Sequence, residues 1–185
     1  MKYHKILLLL ANGFEILEAS AFIDVMGWNL EEGDNSTKLY SCGLRKELIS
    51  SFRQHFIVDC TVREVDIGSF DTLVIPGGFK NFGYYQDAYN EEFLNLIRGF
   101  KSQNKIIASV CVGALPLAKS GILKKCSGIC GIYSGIWGQI QRKMRPKTVI
   151  FWAHSGYFGK FCGIWGQIKQ YLVKHKWYLW EILPY

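Results

Sequence analysis

The sequence opens without the marks of export. It has no basic region followed by an apolar stretch and a small-residue cleavage site. Its first apolar run, "ILLLLA" at residues 6–11, is too short for a signal core or a membrane span and suits a buried strand. A cytoplasmic protein with no membrane span is therefore expected. Zinc-type cysteine spacing is missing as well. Six cysteines stand at 42, 60, 111, 126, 130 and 162, and the one close pair, Cys126-x3-Cys130, has no second pair after it. Cys126, Cys130, Cys162 and His154 make a poor ligand set at such spacing. The expectation is reduced thiols in a reducing compartment, no metal and no cofactor. Acidic residues are nearly absent from the second part of the chain. Residues 1–100 hold 9 Lys/Arg against 14 Asp/Glu, whereas residues 101–185 hold 13 Lys/Arg and the single acid Glu181. A basic tail can mark a nucleic-acid or anionic-surface binder, but no basic stripe within a known module surrounds this one, so neither partner is expected.

What is present fits one soluble globular domain over residues 1–185, with 49% hydrophobic and 20% charged residues. Through residue 124 strand-like and helix-like stretches alternate. "HKILLLLA" (4–11) is apolar throughout, as in a strand covered on both faces. "FEILEASAFIDVMGWNL" (14–30) has helical period, with Ile16, Ala19, Phe22, Ile23 and Met26 on one side. "TKLYSCG" (37–43) reads as a second strand, and short strand-like pieces lie between 47 and 65. "DTLVIPGG" (71–78) is a buried strand ending in a Pro-Gly-Gly turn. Asn90 can cap a helix whose first turn carries Glu91 and Glu92 and which runs to about residue 103. "KIIASV" (105–110) then leads into Cys111 and a helix through "GALPLAKSG". Such alternation predicts a parallel sheet with helices on both faces.

Function in such a sheet sits outside the carboxyl ends of the strands. Two strand ends carry notable chemistry: Pro76-Gly77-Gly78, and Cys111 followed by Val112 and Gly113. A thiol at a tight strand-to-helix turn is either a buried filler or a nucleophile on an elbow, which exposes the side chain and aims the next amide at the same point. The helix N-terminus favours negative charge, so the elbow reading expects a lowered thiol pKa. Backbone N–H groups of Gly78 and Val112 then make an oxyanion hole, with Gly77 and Gly113 in support.

Taken together, "KILLLLANGFEILEA" (5–19), "FIDVMGW" (22–28), "DTLVIPGG" (71–78), "FLNLIRGF" (93–100) and "IASVCVGALPLAKSGIL" (107–123) resemble the ThiJ/PfpI superfamily, related in fold to the class I glutamine amidotransferases. The resemblance covers about residues 3–125. It implies a flavodoxin-like, doubly wound α/β fold with Cys111 on a nucleophile elbow. Val112 stands where the PfpI-type proteases carry a histidine, which places the chain nearer the branch of the Parkinson-disease-associated deglycase. The resemblance also assigns Glu18, the last residue of "GFEILE", as a protonated acid beside the thiolate. Glu15, on the same helix, is the fallback carboxylate, and Asp24 is expected only to pack or cap.

The family pattern stops after residue 124. The family follows the nucleophile helix with a strand bearing a histidine; "KKCSGICGIYSG" (124–135) contains none. His154 is a candidate substitute. Residues 124–185 instead repeat "GIWGQI" at 135–140 and 163–168 and hold five of the six Trp. The readings of this tail are a diverged folded replacement, a binding element, or a frame-shifted or artificial segment. "KTVIFWA" (147–153) reads as a strand within it.

The resemblance thus implies a cysteine-dependent hydrolase or lyase of small carbonyl compounds, glyoxalase- or deglycase-like, needing no cofactor and often dimeric. One alternative is an oxidisable Cys111 in a redox-sensing or chaperone-like stress protein. Another is a catalytically inactive family member whose basic tail binds.

Overall fold

The computed structural model describes residues 3–123 and 148–151. Among these residues, β1 (His4–Leu9), β2 (Thr37–Gly43), β5 (Cys60–Thr61), β6 (Thr72–Ile75), β7 (Ile106–Val110) and β8 (Thr148–Phe151) form one parallel sheet in the order β5-β2-β1-β6-β7-β8. Two short strands, β3 (Glu47–Ile49) and β4 (His55–Ile57), pair antiparallel as a hairpin beside it. The helices are α1 (Ile16–Glu31), α2 (Tyr84–Ala88), α3 (Glu91–Ser102) and α4 (Ala114–Lys119). The expected doubly wound α/β architecture is present.

Alternation along β1 explains why the sheet is covered on both sides. Leu7 and Leu9 join Leu73, Ile75, Phe93, Ile97 and Phe100 in one core, while Ile6, Leu8 and Leu10 join Ala19, Val74 and Ala108 in the other. Successive side chains of a strand point to opposite faces, so an all-apolar run demands a layer on each. Helix α3 covers the first face and starts where the sequence places it, with the Asn90 side chain accepting from the Glu92 amide at 2.9 Å. Helix α1 covers the second face through Ala19, Phe22 and Met26.

One sequence expectation about α1 fails. Ile23 is 41% exposed rather than on the packed side, and its neighbour Asp24 is exposed as well. Apolar residues surround this helix, so its pattern admits several rotations; the close fit of Ala19 against the sheet selects one. Among the described residues no helix is long and apolar enough to cross a membrane.

The sheet order sets the site. From β1 the chain moves outward to β2 and β5, then returns to the other side of β1 for β6, β7 and β8. The connections after β1 and β6 therefore diverge, and a crevice opens at the carboxyl ends of these strands. The loops after β1, β6 and β7 carry Gly13, the 76–78 turn and Cys111.

Candidate active site

Cys111 stands at the turn from β7 into α4, half-buried, with φ of 52°. A left-handed backbone costs a non-glycine residue roughly 1–2 kcal/mol, so surrounding structure holds this thiol where the chain alone would not. The holding contacts are visible next door. The entry into α4 is a tight 3-10 turn over Cys111–Gly113. A Cβ on Gly113 would stand 2.5 Å from the Ile75 carbonyl oxygen and 3.0 Å from that of Pro76. Glycine at 113 thus lets the turn press directly onto the end of β6.

Glu18 reaches the same place from the first turn of α1. Its Oε2 accepts a hydrogen bond from the Gly77 amide at 2.6 Å, and its carboxyl is hydrogen-bonded to Cys111. Burial pushes the Glu18 pKa above the ordinary carboxylate range; the Gly77 and Cys111 hydrogen bonds oppose this, and the Glu15 charge adds to it. The net direction is upward, so the proton is held more tightly than on a solvated glutamate. A carboxyl that keeps a proton beside a sulfur can donate it when charge develops nearby.

Gly77 is the hinge of the arrangement. A Cβ there would lie 2.8 Å from Glu18 Oε2, 2.9 Å from Val112 Cγ2 and 3.1 Å from the Val112 nitrogen. Gly78 is equally confined, since a Cβ would run into the Gly13 carbonyl oxygen and the Tyr84 ring. The loops after β1 and β6 are stitched as a short antiparallel bridge between Phe14 and Gly78. Its bonds run from the Glu15 amide to the Gly77 carbonyl at 2.9 Å and from the Phe79 amide to the Gly13 carbonyl at 3.0 Å.

Sequence reasoning missed three contributors. Tyr84 is fully buried, donates its hydroxyl to the Pro76 carbonyl at 2.8 Å, and has a pKa driven well upward by burial, with smaller contributions from the Glu18 and Cys111 charges. No motif singles it out. Ser51 donates its hydroxyl to Glu15 Oε2 at 3.2 Å, which turns the fallback carboxylate toward the hairpin. The third is the Asn12–Asp87 pair. The Asn12 amide donates to buried Asp87 at 2.9 Å, and Asp87 also takes a bidentate hydrogen bond from Arg45. The Asn12 side chain in turn accepts from the Ile49 amide at 2.8 Å. These bonds clamp the β1–α1 loop between α2 and the hairpin.

The structure therefore brings Cys111, Glu18, Gly77, Gly78, Val112 and Gly113 together; Glu15 is not on the helix as expected but stands in extended conformation just before α1. His154, Cys126, Cys130 and Cys162 lie outside the described residues. Among the described residues no cluster of three or more His, Cys, Asp or Glu could hold a metal ion.

The model of the DJ-1/PfpI family matches residues 4–136, and the chain belongs to that family. It is 32% identical over 125 residues to a protein of Pyrococcus furiosus named Deglycase PfpI, covering 67% of this chain and 70% of the relative. It is 29% identical over 121 residues to Protein DJ-1 homolog B of Arabidopsis thaliana, covering 65% of this chain but only 26% of the relative. The chain thus spans about a quarter of that plant protein's length. In fold it is similar to oxidized Toxoplasma gondii DJ-1, with a TM-score of 0.62 at 17% identity over 95% of this chain and 99% of the other. Drosophila melanogaster DJ-1beta gives 0.60 at 20% identity over 83% of each chain.

Proposed function

We propose that this member of the DJ-1/PfpI family is a cysteine-dependent hydrolase or lyase of small carbonyl compounds, with Cys111 as nucleophile and Glu18 as proton carrier. The observation that carries the reading is the pairing itself: a thiol in a left-handed turn, hydrogen-bonded to a carboxyl whose burial favours its protonated form. A strained backbone at a thiol and a desolvated acid beside it are both costs, and they coincide at the crevice of the sheet. Relatives named deglycases, at 31–32% identity, point to the same chemistry.

In the first step Sγ, as the thiolate, adds to the aldehyde carbon of an α-ketoaldehyde. The carbonyl π electrons move to oxygen, and the amides of Gly78 and Val112 hold the charge that develops. Glu18 delivers its proton to that oxygen, giving a hemithioacetal. The Glu18 carboxylate then carries the C1 proton to C2, giving a lactoyl thioester, and water cleaves its C–S bond to release lactate and the thiol; methylglyoxal and water thus give lactate with no net oxidation and no redox partner.

The test is lactate formation from methylglyoxal by the wild type, Cys111→Ser and Glu18→Gln. Turnover by the wild type that falls at least a hundredfold in Cys111→Ser supports the reading. No turnover by any of the three rejects it. If peroxide then modifies Cys111 selectively, the thiol serves redox sensing instead.

A further inference from the structure

The loops that hold the candidate site also carry three phenylalanines whose rings meet at the surface. Phe52 and Phe79 have ring centroids 6.4 Å apart, Phe52 and Phe82 6.3 Å, and Phe79 and Phe82 6.4 Å. The triangle is nearly equilateral. All three rings remain open to solvent, at 60%, 43% and 37% exposure. Exposed aromatic rings gathered at one spot are unusual on a surface and mark contact with something apolar.

Their placement ties them to the loops that hold Glu18 and the 76–78 turn. Phe79 follows Gly78 directly and lies two residues, about 7 Å of chain, beyond the Gly77 amide that binds Glu18. Phe82 packs its backbone onto Gly13: a Cβ there would lie 2.5 Å from the Phe82 carbonyl oxygen. Phe52 follows Ser51, whose hydroxyl donates to Glu15 and whose amide donates to the Phe14 carbonyl at 2.9 Å. The Gly13 amide donates to the Ile49 carbonyl at 2.7 Å, so the hairpin is docked at the end of β3 and at the start of its turn. The rings thus stand on backbone that the site already fixes.

We infer that Phe52, Phe79 and Phe82 form an aromatic lip that binds the side group of the carbonyl substrate, and that the preferred substrates are α-ketoaldehydes bearing an aryl group. This rests on the carbonyl reading of Cys111 proposed above. The triangle has the size of one guest ring. A phenyl seated about 3.5 Å above its middle lies roughly 5 Å from all three centroids, inside the range where aromatic rings attract. A methyl group in the same place touches far less surface. The preorganised lip costs little ordering on binding, because each aromatic side chain has only two rotatable bonds and its backbone is already held.

The test compares labelling of Cys111 by N-phenylmaleimide and by N-methylmaleimide in the full chain, followed at the Cys111 peptide by mass spectrometry. Both rates are divided by those of glutathione, which has no lip. The expected phenyl-to-methyl ratio at Cys111 exceeds that of glutathione by roughly three- to tenfold, the factor an aromatic contact supplies. Phe52→Ala and Phe79→Ala each draw it back toward the glutathione value. Phe52→Leu, which keeps bulk but not the ring, draws it back part of the way and guards against misfolding of the alanine variants. A wild-type ratio equal to that of glutathione, a ratio that both alanine variants leave unchanged, or a Cys111 that neither reagent reaches overturns the lip. Turnover of phenylglyoxal and methylglyoxal, measured in parallel, separates the two ideas. A ratio that holds without turnover of either compound rejects the carbonyl function and leaves the lip standing. Turnover with no dependence on the three rings does the reverse.

Discussion

The Gly77 amide donates to Glu18 Oε2 at 2.6 Å, joining residues 59 apart in the chain and fastening α1 to the turn after β6. The same carboxyl is hydrogen-bonded to Cys111 beyond β7. One side chain thus connects the three loops that make the crevice, and its protonation is coupled to both neighbours.

Glu18 should leave a signature in the pH dependence of stability. Burial raises its folded pKa above the unfolded value. The folded state then binds the proton more tightly, so this contribution is fully present below the unfolded pKa and is lost as pH rises through the folded one. Glu18→Gln removes the titration while keeping an acceptor for the Gly77 amide. Denaturant unfolding of both proteins between pH 4 and pH 8 should show the wild type losing stability relative to Glu18→Gln as pH rises. A difference that does not change with pH refutes the raised pKa.

The left-handed Cys111 backbone should reverse the usual order of glycine and alanine. Alanine keeps the strain at φ of 52°, whereas glycine does not feel it. Cys111→Gly should be more stable than Cys111→Ala by about 1 kcal/mol in urea unfolding. Both should lack carbonyl turnover. Equal stabilities would mean that the turn relaxes once the thiol is gone.

Gly77→Ala should damage the site more than the fold. The new Cβ meets Glu18 Oε2 at 2.8 Å and Val112 Cγ2 at 2.9 Å, and both groups must shift. Crowding of this kind costs about 1–3 kcal/mol. We expect carbonyl turnover to fall at least tenfold, together with a loss of the pH-dependent stability difference described for Glu18. Wild-type kinetics in Gly77→Ala would show that the carboxyl does not need its place.

Tyr84→Phe removes one hydroxyl and leaves the Pro76 carbonyl without that donor. The expected loss is about 1–2 kcal/mol by thermal or denaturant unfolding, since a buried acceptor is left unsatisfied. Because Pro76 begins the turn that carries Gly77, the rate of Cys111 alkylation should change too.

The thiols should differ sharply in reactivity. Cys42 lies fully buried on β2, and burial drives its pKa upward, with smaller effects from neighbouring Cys60. Cys111 is half-exposed. Iodoacetamide at neutral pH should label Cys111 in the native protein and leave Cys42 untouched until the chain unfolds. Peptide mapping reads this directly.

Much of the framework is written in local pattern. The apolar run of β1 required a sheet buried on both faces, the Asn90-Glu91-Glu92 sequence began α3 at its observed residue, and "KIIASVCVG" placed a thiol at a strand end. These features depend on neighbours within one or two turns of chain, where periodicity and capping operate. Glu18 was recognised only through family resemblance, because a helix glutamate looks the same whether solvated or desolvated.

What the order of residues determined by itself is a parallel α/β chain with Cys111 and a Pro-Gly-Gly turn at strand ends. Only the tertiary structure decided which face of α1 is covered, that Tyr84 supports Pro76, and that Phe52 joins Phe79 and Phe82. The reason is physical. Strand and helix signals arise from contacts a few residues apart, whereas desolvation of Glu18, strain at Cys111 and the meeting of three rings arise from segments tens of residues apart that are forced together by closure of the sheet.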